Sequence, residues 1–309
     1  METETNKLLV SHNDLDGIAA VVIALLYGFD GNIYIAPNPQ QIPEAELIKY
    51  DDITVTDLAP SDELMKSLIS KGKTVRVYDH HSSAEHIRNY EGCILDVNRC
   101  GSRIYAELYE NDNCVREFIR RVDLWDRFVH RDSDFRLGVE LNDYFAAINR
   151  SVEQALFGFF ENTRFTSFVS IILDKLKMPR FEYTKNDKTL ISIEQDYYKH
   201  DYNSTMKTLS KRVDSKGFNF AVCELPKFAN SSLILNNIQK EQRLSYIIAL
   251  IEAPQRASYQ RISARAIDER VDLNKLKFLN GHPLAAGGQL SINFANKLLS
   301  GIINAIDYK

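Results

Sequence analysis

Short apolar runs recur through the first hundred residues, each closing on a polar or acidic position. Lys7–Ser11, Asn32–Ala36, Ile53–Thr56, Lys73–Tyr78 and Gly92–Leu95 have the length and β-branched content of buried strands. Between them lie segments of helical character. Ile18–Leu26 is apolar all round, so both its sides are expected to be covered. Pro60 and Ser61 open another helix, Asp62 and Glu63 sit in its first turn where the dipole favours acids, and Gly72 follows its end. Strands alternating with helices predict a parallel sheet with helices on both faces.

From Gly101 to about Leu176 the apolar positions fall three and four apart, the period of helices. A polar stretch follows, and the strand pattern restarts at Phe218–Leu225, Leu244–Ile251 and Tyr259–Ala266, with helices over Ser232–Lys240, Asp272–Leu279 and from Gly288 to about Ile306. The expected organisation is therefore an N-terminal α/β domain over 1–176, a helical linker over 177–216 and a smaller C-terminal α/β domain over 217–309.

Composition fits a water-soluble globular protein: of 309 residues, 44% are hydrophobic and 26% charged, and no apolar window approaches a membrane span. The polar, acidic start lacks a secretory signal's character, and four scattered cysteines without a Cys-x-x-Cys pair read as reduced thiols, so a cytoplasmic location is expected. The net charge of −4 argues against a grip on long nucleic acid, which draws on a basic excess, but leaves a short nucleotide open.

The chemistry is concentrated where strands end. Val75–Tyr78 runs into Asp79-His80-His81; the first strand runs into His12, Asp14 and Asp16; the third ends at Asp57. The carboxyl ends of parallel strands share one edge, where α/β proteins bind ligands. In extended chain His12, Asp14 and Asp16 point the same way. Four carboxylates gathered there would repel one another without cations, and imidazole with carboxylate suits zinc, manganese or iron. Two divalent ions about 3.5–4 Å apart, with Asp57 as the bridge, resolve the repulsion. Taken singly, each has a plainer reading: Asp14 as a helix cap, Asp57 as a turn residue, His12 as a core histidine.

Ser11-His12-Asn13-Asp14-Leu15-Asp16-Gly17, Thr56-Asp57 and Asp79-His80-His81, in this order, resemble the DHH phosphoesterase superfamily, and Gly281-His282-Pro283-Leu284-Ala285-Ala286-Gly287 resembles the glycine-rich signature of its DHHA domain. Within that superfamily the chain looks most like the small stand-alone oligoribonucleases, or nanoRNases. The resemblance implies two divalent ions, manganese before magnesium, one held by His12, Asp14 and Asp57 and the other by Asp16, Asp57, His80 and one further aspartate. It implies that His81 fixes geometry or donates to the phosphate, and that Asp79 orients a neighbour. For the further aspartate, strand logic favours Asp96 and the family pattern favours Asp123, which is the expected ligand.

The C-terminal domain is expected to grip substrate through Arg265, in a Ser263-Ala264-Arg265 run that resembles the family's Ser-x-Arg strand, through His282, and through the backbone at Gly281, Gly287 and Gly288. Trp125, Phe128 and Tyr144 are candidates to stack on a base, with core packing the better reading. The expected activity is hydrolysis of short RNA or DNA oligonucleotides and dinucleotides. The rivals are a single-strand DNA exonuclease, a cyclic-dinucleotide phosphodiesterase, a pyrophosphatase of the same superfamily and a nucleotide sensor that does not cleave. Oligomeric state is left open, with a dimer among the options.

Overall fold

The structure is a computed structural model that describes residues 6–39, 43–155, 165–227, 229–253, 257–276, 278–282 and 284–300; over 151–155 and 280–282 it describes the backbone alone. The chain divides into two compact units, 1–194 and 195–309.

In the first unit β1 (Lys7–His12) leads through α1 (Leu15–Leu26) to β2 (Asn32–Ala36), then α2 (Glu44–Leu47), β3 (Asp52–Thr56), α3 (Asp62–Ser70), β4 (Thr74–Asp79) and the short β5 (Ile94–Leu95). All five strands are parallel, in the order β2-β1-β3-β4-β5. That is a doubly wound order, and the chain reverses direction across the sheet between β1 and β3, where such folds open a crevice. The fold expected from the alternation of runs is therefore present.

The two-residue period of the strands separates two cores. Leu8 and Val10, Ile53 and Val55, Val75 and Val77 face one side, packed with Leu47, Met65 and Leu68 of α2 and α3. Leu9 and Tyr78 face the other. There they meet α1, α4 (Gly101–Ala106), α5 (Asn113–Asp126), α6 (Phe135–Ala155) and α7 (Thr166–Leu176) through Ile18, Ile104, Phe118, Tyr144 and Phe168. Residues 15–24 of α1 are buried without exception, which is why its sequence shows no polar face.

The stretch expected as a linker is ordered structure: α8 (Lys185–Lys207) carries the unit boundary, and β6 (Ser210–Val213) pairs antiparallel with β7 (Asn219–Leu225). The second unit continues with α9 (Ser231–Gln242), β8 (Tyr246–Ile251), β9 (Tyr259–Ala266), β10 (Asn280–His282), β11 (Ala285–Ser291) and α10 (Ile292–Leu299). Its sheet runs β10-β11-β9-β8-β7-β6, and only β7 and β8 are parallel. Phe220 and Val222 pack towards Ala295 and Leu298 of α10, while Ala221, Cys223 and Leu225 pack towards Ile234 and Ile238 of α9.

Two expectations here are corrected. The helix expected over Asp272–Leu279 shrinks to one short turn at Leu273–Lys275. The final helix, expected to follow directly on Gly288, begins only at Ile292, and Gly287 and Gly288 lie within β11, paired with Ser263 and Ile262 of β9; a Cβ at Gly288 would stand 2.2 Å from the Phe278 carbonyl oxygen, so glycine is there for close packing of backbone. No helix among the described residues is long and apolar enough to cross a membrane.

Candidate metal centre

The ends of β1, β3 and β4 deliver their side chains to one place. Asp14 caps α1, accepting from the Gly17 amide through Oδ1 (3.0 Å), and its other oxygen lies 2.8 Å from His12 Nδ1. Asp14 thus caps the helix with one oxygen and sets the other beside His12. His12 Nε2 lies 3.2 Å from the Pro37 carbonyl oxygen, which requires a proton on Nε2 and makes Nδ1 the nitrogen turned to the acids. Gly17 fits only because it lacks a Cβ, which would stand 2.3 Å from the His12 carbonyl oxygen.

Asp57 follows β3 with a φ of +57°, in the left-handed region that aspartate tolerates better than most residues. Its amide bonds the Tyr78 carbonyl oxygen (2.9 Å), and the adjoining Thr56 hydroxyl is 2.7 Å from that of Ser11, tying β1 and β3 at their ends. Asp57 is 1% exposed. Its Oδ2 lies 3.4 Å from His12 Nδ1 and its Oδ1 lies 3.3 Å from His80 Nε2, yet neither oxygen accepts a hydrogen bond. His80 Nε2 is likewise buried and without a partner, as is Asp126 Oδ2, 3.3 Å away. Asp16 Oδ2 stands 4.0 Å from His80 Nε2.

Asp79 does not share that vacancy of partners. Its Oδ1 receives the amides of His80 (2.7 Å) and His81 (3.2 Å) and lies 2.7 Å from His81 Nδ1. It therefore ties down both histidines. The orphaned oxygens and nitrogen fall into three overlapping donor sets, His12–Asp14–Asp57, Asp57–Asp79–His80–His81 and Asp16–His80–Asp126, each with its ligand atoms within 4.8 Å of one another.

The electrostatics describe a site short of positive charge. Burial, and then the carboxylates of Asp14, Asp16, Asp126 and Asp79, push Asp57 well above the usual carboxylate range. Burial and the charges of Asp16 and Asp14 do the same to Asp126. For Asp14 burial works upward too, but His12 beside it outweighs burial and holds the carboxyl down. Burial pushes His80 down, whereas His81, despite burial, is held up by Asp79. Buried carboxylates and an imidazole nitrogen left without partners are costly unless something binds them, and a mixed oxygen and nitrogen donor set fits divalent transition metals.

Asp123 is a correction. It lies one turn before Asp126 on α5, and both its oxygens are taken: Oδ1 by the Cys100 amide (2.8 Å) and Arg127 Nε (2.9 Å), Oδ2 by Arg127 Nη2 and Arg103 Nη1 (2.9 Å each). Two guanidiniums already neutralise it, and it joins none of the donor sets. Asp96 is also outside them, bonded to the Asn98 amide and to Arg99. The residue that completes the third set is Asp126, which sequence reasoning missed.

In the second unit Arg265 Nη1 bonds Ser263 Oγ (3.3 Å) and the Ala264 carbonyl (2.8 Å), and Nη2 bonds Ser232 Oγ (2.7 Å). Among the described residues no carboxylate lies within ion-pair distance of it. Burial lowers it to about 10, so it keeps its charge at neutral pH. Gly287 lies in β11; Gly281 and His282 lie in β10, and the His282 side chain is outside the described residues. Tyr144 is 1% exposed and its hydroxyl bonds Asp187, while Trp125 and Phe128 pack edge-on 6.0 Å apart; all three are accounted for by packing.

Comparisons with known proteins bear on the fold. No family model matches the chain. It is 29% identical over 161 residues, 44% of its length, to oligoribonuclease NrnB of Bacillus subtilis; the match spans 40% of that relative. A pGpG-specific phosphodiesterase, PggH, from Vibrio cholerae superposes with a TM-score of 0.59 over 96% of this chain and 97% of that one, at 14% identity. A DHH domain described as a member of the s1p family of ribosomal proteins gives 0.56 over 98% and 87%, at 13% identity. The chain has the fold of these DHH structures. RecJ of Thermus thermophilus, solved in complex with Mn2+, shares the DHH fold at a TM-score of 0.50 and 11% identity, over 96% of this chain and 52% of RecJ. The Asp79-His80-His81 run, which resembles the DHH motif, stands at the end of β4.

Proposed function

We propose that the protein is a metal-dependent phosphodiesterase that hydrolyses short oligonucleotides and dinucleotides. The observation that carries this reading is the set of buried, unpartnered ligand atoms on Asp57, His80 and Asp126 at the β1/β3 crevice. In this reading His12, Asp14 and Asp57 hold one divalent ion, and Asp16, Asp57, His80 and Asp126 hold a second, with manganese the first choice and magnesium the next. When bound, such a pair supplies the Lewis acidity that activates a water and the positive charge that steadies the phosphoryl oxygens.

The chain's own residues do the rest. Asp57 shares its two oxygens between the two donor sets. Asp79 fixes the His81 ring with a proton on Nδ1, and the remaining nitrogen of His81 meets the phosphate. Arg265, charged and surrounded by neutral partners, takes a non-bridging phosphate oxygen pair, the geometry its planar fork suits. The backbone around Gly281 and Gly287 and the His282 ring contribute to the same grip.

Support for a short substrate comes from the oligoribonuclease relative and from the net charge of −4, which offers a long strand no basic track. Purified protein stripped with chelator, then given manganese, is expected to regain hydrolysis of RNA and DNA of two to five nucleotides and of pGpG. Equal rates on a long single strand would overturn the short-substrate reading. Nucleotide binding without turnover would replace an enzyme by a sensor.

A further inference from the structure

Asp123 does not reach the cluster, but it touches the segment that holds one of its members. Three consecutive amides run between two buried carboxylates. The Cys100 amide donates to Asp123 Oδ1 (2.8 Å), the Gly101 amide to Asp16 Oδ2 (2.7 Å) and the Ser102 amide to Asp16 Oδ1 (3.0 Å). Asp16 is 1% exposed and Asp123 is 3% exposed. Cys100 itself precedes α4 without a side-chain cap. Gly101 also lies so close to Asp57 that a Cβ would stand 2.9 Å from its Cα, so a small shift of the segment is felt there as well.

Asp123 is itself held from outside by Arg103 and Arg127. Its negative charge is thereby balanced, and its remaining acceptor capacity on Oδ1 is aimed at the Cys100 amide. A buried amide that loses its acceptor is costly to leave as it is, so the segment would turn to find another partner. Its next two amides would turn with it, and those amides set the aim of Asp16 towards His80 Nε2.

We propose that Asp123 is a positioning residue for one of the two cation sites: through the amides of residues 100–102 it fixes the Asp16 carboxylate that faces His80 and Asp126. This rests on the reading that Asp16, His80 and Asp126 hold a cation. It gives Asp123 a role that neither a direct ligand nor a surface ion pair describes. The effect falls most on the set that contains Asp16, whose two oxygens take the Gly101 and Ser102 amides, while His12 and Asp14 are tied to Pro37 and Gly17.

The test is manganese binding to the full, chelator-stripped chain without substrate, followed by the electron paramagnetic resonance of free Mn2+, together with the melting temperature of the metal-free protein. Asp123→Ala is expected to weaken one of two binding events about 10–100-fold, the range for partners that orient a ligand, and the other much less. Arg127→Gln is expected to leave both unchanged, since Asp123 keeps Arg103 and the Cys100 amide. Wild-type affinity at both sites in Asp123→Ala would overturn the proposal. So would an equal loss at both sites accompanied by a fall in melting temperature, which marks a merely structural role. Asp126→Ala separates this from the reading beneath it: if that variant binds two manganese ions as the wild type does, the metal assignment itself is wrong, and the positioning role falls with it.

Discussion

His80 Nε2 stands 3.3 Å from Asp126 Oδ2, and neither atom has a hydrogen-bond partner. An imidazole nitrogen and a carboxyl oxygen that face each other, buried and without hydrogen-bond partners, mark a place for a cation. Asp126→Ala is therefore expected to lower hydrolysis by more than the roughly 10–100-fold that an orienting partner costs, while Asp96→Ala stays near wild type. Turnover measured with saturating manganese decides it; loss at Asp96 with retention at Asp126 would reverse the assignment.

Asp57 combines burial, two unpartnered oxygens and a left-handed backbone. Asparagine tolerates the same φ and has nearly the same shape, but removes the charge. Asp57→Asn is expected to abolish hydrolysis and manganese binding, yet to stabilise the metal-free protein by about 1–3 kcal/mol, the scale of relieving an unsatisfied buried group. Chemical denaturation with chelator present measures this. A less stable variant would show that Asp57 has a partner in the metal-free state after all.

Much of this site was legible because strand ends are marked in sequence. The alternation of Val75, Val77 and their neighbours locates β4, Asp57 follows β3 directly and Asp79 is the last residue of β4. Asp126 was missed because Asp123-Leu124-Trp125-Asp126 offers two acids one turn apart on α5. Part of the answer was in reach: Arg127 sits four residues after Asp123, the spacing of a helical ion pair, and so neutralises it. The other half, Arg103 and the Cys100 amide, comes from a different element and has no local signature. Gly287 and Gly288 escaped as strand residues because Ala-Ala-Gly-Gly carries no alternation; the pairing with β9 makes β11.

Gly101 gives a steric test independent of charge. A Cβ there would meet Asp57 Cα and Cβ at 2.9 Å each, and these atoms belong to a backbone that cannot rotate away. Gly101→Ala is expected to cost about 1–3 kcal/mol, the range for overpacking, and to weaken manganese binding by displacing Asp57. Wild-type stability and affinity would mean that α4 moves aside freely.

Arg265 is charged, largely buried and bonded only to Ser232, Ser263 and the Ala264 carbonyl. If its anion is the substrate, Arg265→Ala should raise KM about 10–100-fold, the worth of a charge-assisted bond of roughly 1.5–3 kcal/mol, with a smaller change in kcat. Manganese affinity should not move. An unchanged KM would remove Arg265 from substrate binding.

The stability of the metal-free protein should depend on pH in a direction the centre dictates. Burial, and then neighbouring carboxylates, raise Asp57 and Asp126, so the native state holds protons there that the unfolded chain releases near pH ~4. Stability from these groups is present below that pH and declines as pH rises towards their folded values. His12 and His81, held up by Asp14 and Asp79 against burial, act in the same direction, their contribution fading as pH rises above about 6.5. His80, pushed down by burial, opposes them below that value. The lowered Asp14 and Asp79 add no slope near neutrality, since their contribution is lost only as pH falls below ~4. Manganese competes with the same protons, so its binding should strengthen with pH. The rise in melting temperature on adding manganese is expected to be larger at pH 8 than at pH 5.5. A rise independent of pH would mean that the ion binds elsewhere.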